Sequence, residues 1–140
     1  MRKAAVILVI KDGMILGVSR RNSANKFGLP GGKLETNEEP IDAAKRECLE
    51  EAGITVHDAV FIYRRDEEPE TPGGEVFHTY CFYALDWDGE PRPSEEGDVK
   101  WVSAAELTGE LGAFAEYNTQ TLKHLTQHFP EIILKDYFNV

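Results

Sequence analysis

Glu47, Glu50 and Glu51 stand at i, i+3 and i+4, after a Gly-Gly pair and a run that opens with Pro40. On a helix of 3.6 residues per turn these carboxylates fall within about 100° of one another. Like charges at that spacing weaken a helix by roughly 0.2–0.5 kcal/mol per pair. A helix that served only as a solvated face would interleave lysines. A cluster of hard oxygen donors on one face suits Mg²⁺, with Mn²⁺ as the alternative ion.

The stretch from Gly32 to Ile54 resembles the box of the Nudix hydrolases, Gly-x5-Glu-x7-Arg-Glu-U-x-Glu-Glu-x-Gly-U, where U is a bulky aliphatic residue. Gly32, Glu38, Arg46, Glu47, Glu50, Glu51 and Gly53 meet the fixed positions, and Cys48 and Ile54 hold the U positions. Cys48 alone departs, and a buried cysteine behaves as a small hydrophobe. The resemblance implies an α/β fold: an α/β/α sandwich with a mixed central sheet and the box as loop-helix-loop. It implies hydrolysis of a nucleoside diphosphate linked to a further moiety, with divalent ions neutralising phosphate charge and activating water. Glu47, Glu50 and Glu51 would be the metal ligands, joined by the Gly31 carbonyl. Glu38 and Arg46 would brace the loop and orient those ligands through charge-assisted hydrogen bonds. The general base differs among relatives, so Glu51, Glu47 and a carboxylate from a later loop remain open. Glu95 and Glu96, shortly before Trp101-Val102, resemble that later position, and Glu96 is taken as a further ligand.

The elements that must position these groups are legible in outline. Ala4 to Lys11 and Met14 to Arg20 are apolar, Val/Ile-rich runs around Asp12-Gly13, a hairpin signal. Arg21 to Lys26 reads as a polar loop, and the glycines of 28–32 permit close approach of backbone to phosphate or metal. Pro40 suits the first helical turn, with Glu39 a poor cap before it, and Gly53 suits the end. Ile41, Ala44, Cys48, Leu49 and Ala52 form the expected buried stripe. Residues 54–65, 76–86 and 99–102 read as strands, and 104–107 as a helical turn. A helix is expected from Asn118 to Phe129, with Asn118 as its N-cap and Leu122, Leu125 and Phe129 at helical spacing. The apolar tail after Pro130 either packs on the domain or makes a subunit contact, so a homodimer is an open expectation.

The chain of 140 residues is expected to form a single domain, 1–140. Its net charge of −10 is uneven: residues 1–65 carry 11 basic and 9 acidic side chains, residues 66–140 carry 4 and 16. That balance argues against polymeric nucleic acid, whose binding needs basic phosphate contacts, and against an RNA-cap role. A small polyphosphate substrate would depend on divalent metal and a few cations, among which Arg20, Arg21, Lys26 and Lys33 are candidates. Cys48 and Cys81 are isolated, neither a disulfide framework nor a zinc spacing, and read as buried thiols in a reducing compartment. The apolar run from Ala4 to Ile10 is too short to span a membrane and no cleavage site follows it, so the expected location is the cytoplasm. His124 and His128, at i, i+4 with no third ligand, read as a surface pair.

The segment Phe114-Ala-Glu-Tyr-Asn118 resembles the C-terminal region of Nudix pyrophosphohydrolases that clear oxidised guanine triphosphates, where an asparagine reads the base. Asn118 is therefore a candidate for substrate binding, with Arg20 and Arg21 on phosphate and Gly32 beside it. Phe27 could stack on a base, although core packing is the favoured role. The leading expectation is a (d)NTP pyrophosphohydrolase releasing a monophosphate and pyrophosphate from the common or oxidised nucleotides. Pro69 lies where ADP-ribose-cleaving relatives tend to have a proline, which keeps an ADP-ribose or nucleotide-sugar pyrophosphatase as the alternative. The tyrosine of dinucleoside-polyphosphate relatives is missing at positions 70–72. A non-catalytic sensing module is disfavoured, because such modules usually lose box glutamates and this chain keeps them all.

Overall fold

The Val/Ile-rich N-terminal run divides between two sheets instead of forming one arm of a hairpin. A computed structural model describes residues 2–20, 23–67 and 72–137. Within it β1 (Arg2–Leu8) lies in one sheet, while β2 (Ile10–Lys11) turns through Asp12 and Gly13 to pair with β3 (Met14–Arg20) in another. The chain then forms β4 (Ser23–Gly28), β5 (Gly31–Lys33), α1 (Pro40–Ala52), β6 (Thr55–Glu67), β7 (Phe77–Asp88), β8 (Val99–Val102), α2 (Ala104–Thr108) and α3 (Ala115–His128). The first sheet has the order β5-β1-β7-β6 and is mixed, because β1 runs parallel to β7 while the other pairs are antiparallel. In the second, β3 is paired to β2, β4 and β8, all antiparallel.

Side chains alternate across each strand and so feed two cores. Ala5, Ile7, Val9, Leu16 and Val18 join Ala43, Ala44, Cys48 and Ala52 of α1 in the first. Leu8, Ile15, Ile62 and Val102 join Leu107 of α2 and Leu122 and Leu125 of α3 in the second. Helices thus cover the sheets from both sides, the α/β/α sandwich expected. No helix among the described residues is long and apolar enough to cross a membrane.

Three local expectations are corrected, and the first of the two readings of the tail is met. Residues read as a polar loop include β4, which is held by pairing to β3 rather than by any periodicity of its own. On α1 the buried stripe includes Ala43, whereas Leu49 is 48% exposed. The cap of α3 is Phe114, in the left-handed region at φ 60, and Asn118 sits inside the helix. The tail packs on the domain, with Ile132, Leu134 and Tyr137 in the second core and the Lys135 N–H donating to the Gly13 carbonyl at 2.9 Å.

Candidate metal centre and active site

Gly31 lets β5 lie against the β1 backbone, and Gly32 leaves room for Glu47 of α1. A Cβ on Gly31 would lie 2.2 Å from the Ala5 carbonyl oxygen, and one on Gly32 would lie 2.8 Å from the Glu47 carboxyl carbon. Against that backbone nothing larger than hydrogen fits at Gly31, whereas a methyl at Gly32 would have to displace the Glu47 carboxylate. The Gly31 N–H donates to Glu51 Oε1 at 2.8 Å, in a buried hydrogen bond. Glu51 is only 8% exposed.

The box glutamates divide. Ligand oxygens of Glu47 and Glu51 lie within 4.8 Å of one another and of Glu96, which arrives from the loop between β7 and β8. Glu50 stays outside that group, its side chain half exposed and its carboxylate 3.4 Å from Arg46 Nη1. Burial pushes the Glu47 carboxyl up, its hydrogen bond to Arg46 opposes that, and the charges of Glu50 and Glu96 add to the rise. Three carboxylates this close repel one another, and a divalent cation between them removes the cost. An all-oxygen, carboxylate-rich donor set fits Mg²⁺ or Mn²⁺ and not a soft ion.

Arg46 organises the surroundings. Its Nε and Nη2 grip both oxygens of Glu38, at 2.9 and 3.0 Å, its Nη1 donates to Glu47 at 2.8 Å, and Nη2 also reaches the Lys33 carbonyl at 3.2 Å. Bidentate carboxylate binding by a planar guanidinium fixes direction as well as distance. The Arg46 side chain beside it holds the Glu38 carboxyl below its ordinary range. Glu38 in turn accepts the Glu35 N–H at 2.9 Å, which closes the loop ahead of α1.

The substrate-side expectations fare differently. Phe27 is 8% exposed and packs in the second core, with Lys100 Nζ 4.6 Å from its ring centre, so its ring is a core surface rather than an open platform. Asn118 is 2% exposed. Its Nδ2 donates to the Leu107 carbonyl at 3.0 Å and the Ala113 carbonyl at 2.7 Å. Two carbonyls demand the amide nitrogen on that side, leaving Oδ1 as the group without a hydrogen-bond partner among the described residues. Oδ1 is nevertheless not sealed from solvent, since Tyr137 carries the described buried side-chain atom that lacks a partner. Arg20 ends β3, and Arg21 and Pro69 lie outside the described residues. The His124 ring stacks on Tyr63 at 3.9 Å, and the His128 ring meets the His124 carbonyl, so both serve α3.

The family model described as the NUDIX domain matches residues 1–125. The chain belongs to the Nudix family. Among its Nudix relatives is the oxidized purine nucleoside triphosphate hydrolase of Danio rerio, 34% identical over 98 residues, 69% of this chain and 62% of that protein. This chain therefore spans less than two thirds of that relative's length. The 8-oxo-dGTP diphosphatase of Escherichia coli K12 is 33% identical over 112 residues, 76% of this chain and 83% of that protein. Among solved Nudix structures, the MutT NUDIX hydrolase of Burkholderia pseudomallei superposes with a TM-score of 0.72 at 26% identity, covering 86% of this chain and 97% of that one.

Sequence reasoning missed the network beside Asn118, in which Tyr63, Arg65 and Glu67 of β6 engage α3 and β7. Their period-two alternation was the available signal. A charged pair within it reads equally well as a solvated face until α3 is seen to cover it.

Proposed function

We propose that this chain is a divalent-metal-dependent nucleoside triphosphate pyrophosphohydrolase that releases a monophosphate and pyrophosphate, with oxidised purine nucleotides as its preferred class. The observation that carries the hydrolytic reading is the meeting of Glu47, Glu51 and Glu96 within 4.8 Å, beside Gly32, where a Cβ would lie 2.8 Å from the Glu47 carboxyl carbon. These three would hold the ion, with the Gly31 carbonyl as a further ligand. When bound, such an ion neutralises phosphate charge and lowers the pKa of a coordinated water. The chain's own part is orientation. The Gly31 N–H turns Glu51, Arg46 turns Glu47, and Glu38 locks Arg46 in place. Outer partners of this kind are commonly worth 10–100-fold in metal affinity or activity.

The preference for oxidised purines is supported by the Asn118 amide. Both of its N–H groups are directed at protein carbonyls, so it faces a substrate as an acceptor. An ordinary purine presents N7 as an acceptor as well. A carbonyl at C8 converts N7 to an N–H, and the mismatch becomes a hydrogen bond. Two relatives carry names that specify oxidised purine nucleotides.

The test is pyrophosphate release with Mg²⁺ across common and oxidised (d)NTPs, ADP-ribose and nucleotide sugars. Pyrophosphate from triphosphates, fastest for the 8-oxo purines, is the expected result. Cleavage confined to ADP-ribose or sugar nucleotides would overturn it. Glu51→Gln is expected to lower kcat about a hundredfold or more while leaving the fold intact, and near-normal turnover would remove this site as the catalytic centre.

A further inference from the structure

Pairing registers place four residues in one row across the first sheet. Lys33 of β5 is opposite Ala4 of β1, Ala4 is level with Thr79 of β7, and Thr79 is opposite Arg65 of β6. Register partners on neighbouring strands share a face. This is the face toward α3, because the Arg65 guanidinium stacks 4.6 Å from the Tyr117 ring centre and its Nη1 reaches Thr121 Oγ1 at 3.4 Å. Three strand spacings separate the ends of the row, roughly 14 Å. Small side chains, Ala4 and Thr79, lie between two cations. The row has a length that suits a nucleotide; Ala4 is half-buried and Thr79 is 3% exposed.

Its two ends differ. At the β5 end, Lys33 follows Gly31 and Gly32, the residues against which Glu51 and Glu47 rest. Among the described residues no carboxylate lies within ion-pair distance of Lys33, and its Nζ sits 5.7 Å from the centre of the Phe77 ring. A phosphate chain at the metal centre would find this free cation. At the β6 end Arg65 is deeply placed, its side chain 9% exposed. Its Nε donates to Glu67 Oε1 at 2.9 Å, and the same oxygen accepts from Thr79 Oγ1 at 3.2 Å. Nη2 has no acceptor among the described residues, and it is not a sealed atom. An arginine buried only to pin α3 would be expected to spend all its donors on protein; this one leaves Nη2 without a protein acceptor among the described residues.

We propose that Arg65 is a specificity-determining residue, whose Nη2 donates to a carbonyl acceptor on the substrate's nucleobase at the β6 end of the row while the phosphates lie at Lys33 and the carboxylate cluster. The inference rests on the pyrophosphohydrolase reading above and adds to it which residue reads the base and with which polarity. Glu67 holds the guanidinium in place, and Tyr117 covers its flat face. Arg65 donates where Asn118 accepts, so the two select different atoms.

The test compares nucleoside triphosphates that differ by one carbonyl: inosine against purine riboside, and uridine against its 4-deoxo analogue. Ribose 5-triphosphate, which has no base, serves as reference. The wild type is expected to favour the carbonyl-bearing member of at least one pair by roughly tenfold or more in kcat/KM, the worth of a hydrogen bond to a charged group. Arg65→Met combined with Glu67→Gln, which leaves no buried charge unpaired, is expected to bring that ratio to within about twofold. The change should fall mainly on KM and exceed any change on the base-free reference. Arg65→Lys should restore part of the ratio. Equal losses on nucleotides and reference, or a wild type indifferent to the carbonyl, would overturn the proposal and leave Arg65 as a brace for α3. Should the wild type cleave no triphosphate, the hydrolytic reading fails by itself. Calorimetric binding of inosine and purine riboside monophosphates to the same variants then decides the Arg65 proposal on the same ratio.

Discussion

Arg46 touches Glu38, Glu47, Glu50 and the Lys33 carbonyl, and no other side chain can replace that set of contacts. Arg46→Lys keeps the charge but loses the fork, and a 10–100-fold fall in metal affinity or activity is expected, measured by Mn²⁺ titration and steady-state kinetics. Gly32→Ala is the sharper probe, since the added methyl would lie 2.8 Å from the Glu47 carboxylate. That carboxylate can swing away, so the variant should fold yet bind Mn²⁺ more weakly. Unchanged affinity would mean that Glu47 is not a ligand. Protons compete with the metal for the same oxygens. Because burial and neighbouring acids raise the Glu47 pKa above its ordinary 4.5, metal affinity should begin to fall at a higher pH than for an ordinary carboxylate. Isothermal titration across pH 5–8, expressed about the raised carboxyl as an order-of-magnitude trend, checks it.

The loop between β5 and α1 is held by Arg46, which pairs with Glu38 at 2.9 Å and more loosely with Glu35 at 3.7 Å. Arg46 holds the Glu38 pKa below the ordinary 4.5, so the pair's contribution to folding is complete above that value. It is lost as pH falls through the depressed folded pKa, because the unfolded chain then binds the proton more readily. Protection of the Glu35 N–H from exchange, which Glu38 provides, should disappear over that acid range. Glu38→Gln should abolish the pH dependence. The tail is a second dependent element: Leu134 is 7% exposed and Lys135 bonds both the Gly13 carbonyl and the Ala104 N–H. Deleting residues 131–140 should lower Tm by several degrees, since burial of a leucine side chain alone is worth about 2 kcal/mol.

Across the molecule, both cysteines are fully buried, Cys48 within the first core. Burial pushes the Cys48 thiol up to about 12 and the Cys81 thiol up to about 11. The nucleophilic thiolate is therefore scarce as well as enclosed. Alkylation at pH 8 should proceed only at the rate of local or global opening, and should accelerate in denaturant; fast labelling of native protein would contradict the packing described. The acidic balance of residues 66–140 has a separate consequence. A polyphosphate approaching this surface meets like charge, so chelation of the divalent ion should abolish substrate binding as well as turnover, measured by calorimetry with EDTA.

Short-range pattern carried much of this protein. The limits of α1 follow from Pro40, the apolar stripe and Gly53, because helix starts and stops are local matters of backbone geometry. The candidate metal-binding face of α1 was legible from the spacing of its carboxylates, and the bracing roles of Glu38 and Arg46 from the box that the stretch resembles. Tertiary structure decided what meets what. Glu96 joins Glu47 and Glu51, while Glu50 stays outside, because the loop between β7 and β8 comes in from another part of the chain. Asn118 leaves the cap for the helix interior because the Leu107 and Ala113 carbonyls satisfy its amide there. β4 exists through its partner β3, and Arg65 acquires its setting only when α3 lies over β6. Local rules act over a turn or a strand, whereas these contacts depend on distant backbone and side chains being brought together by packing.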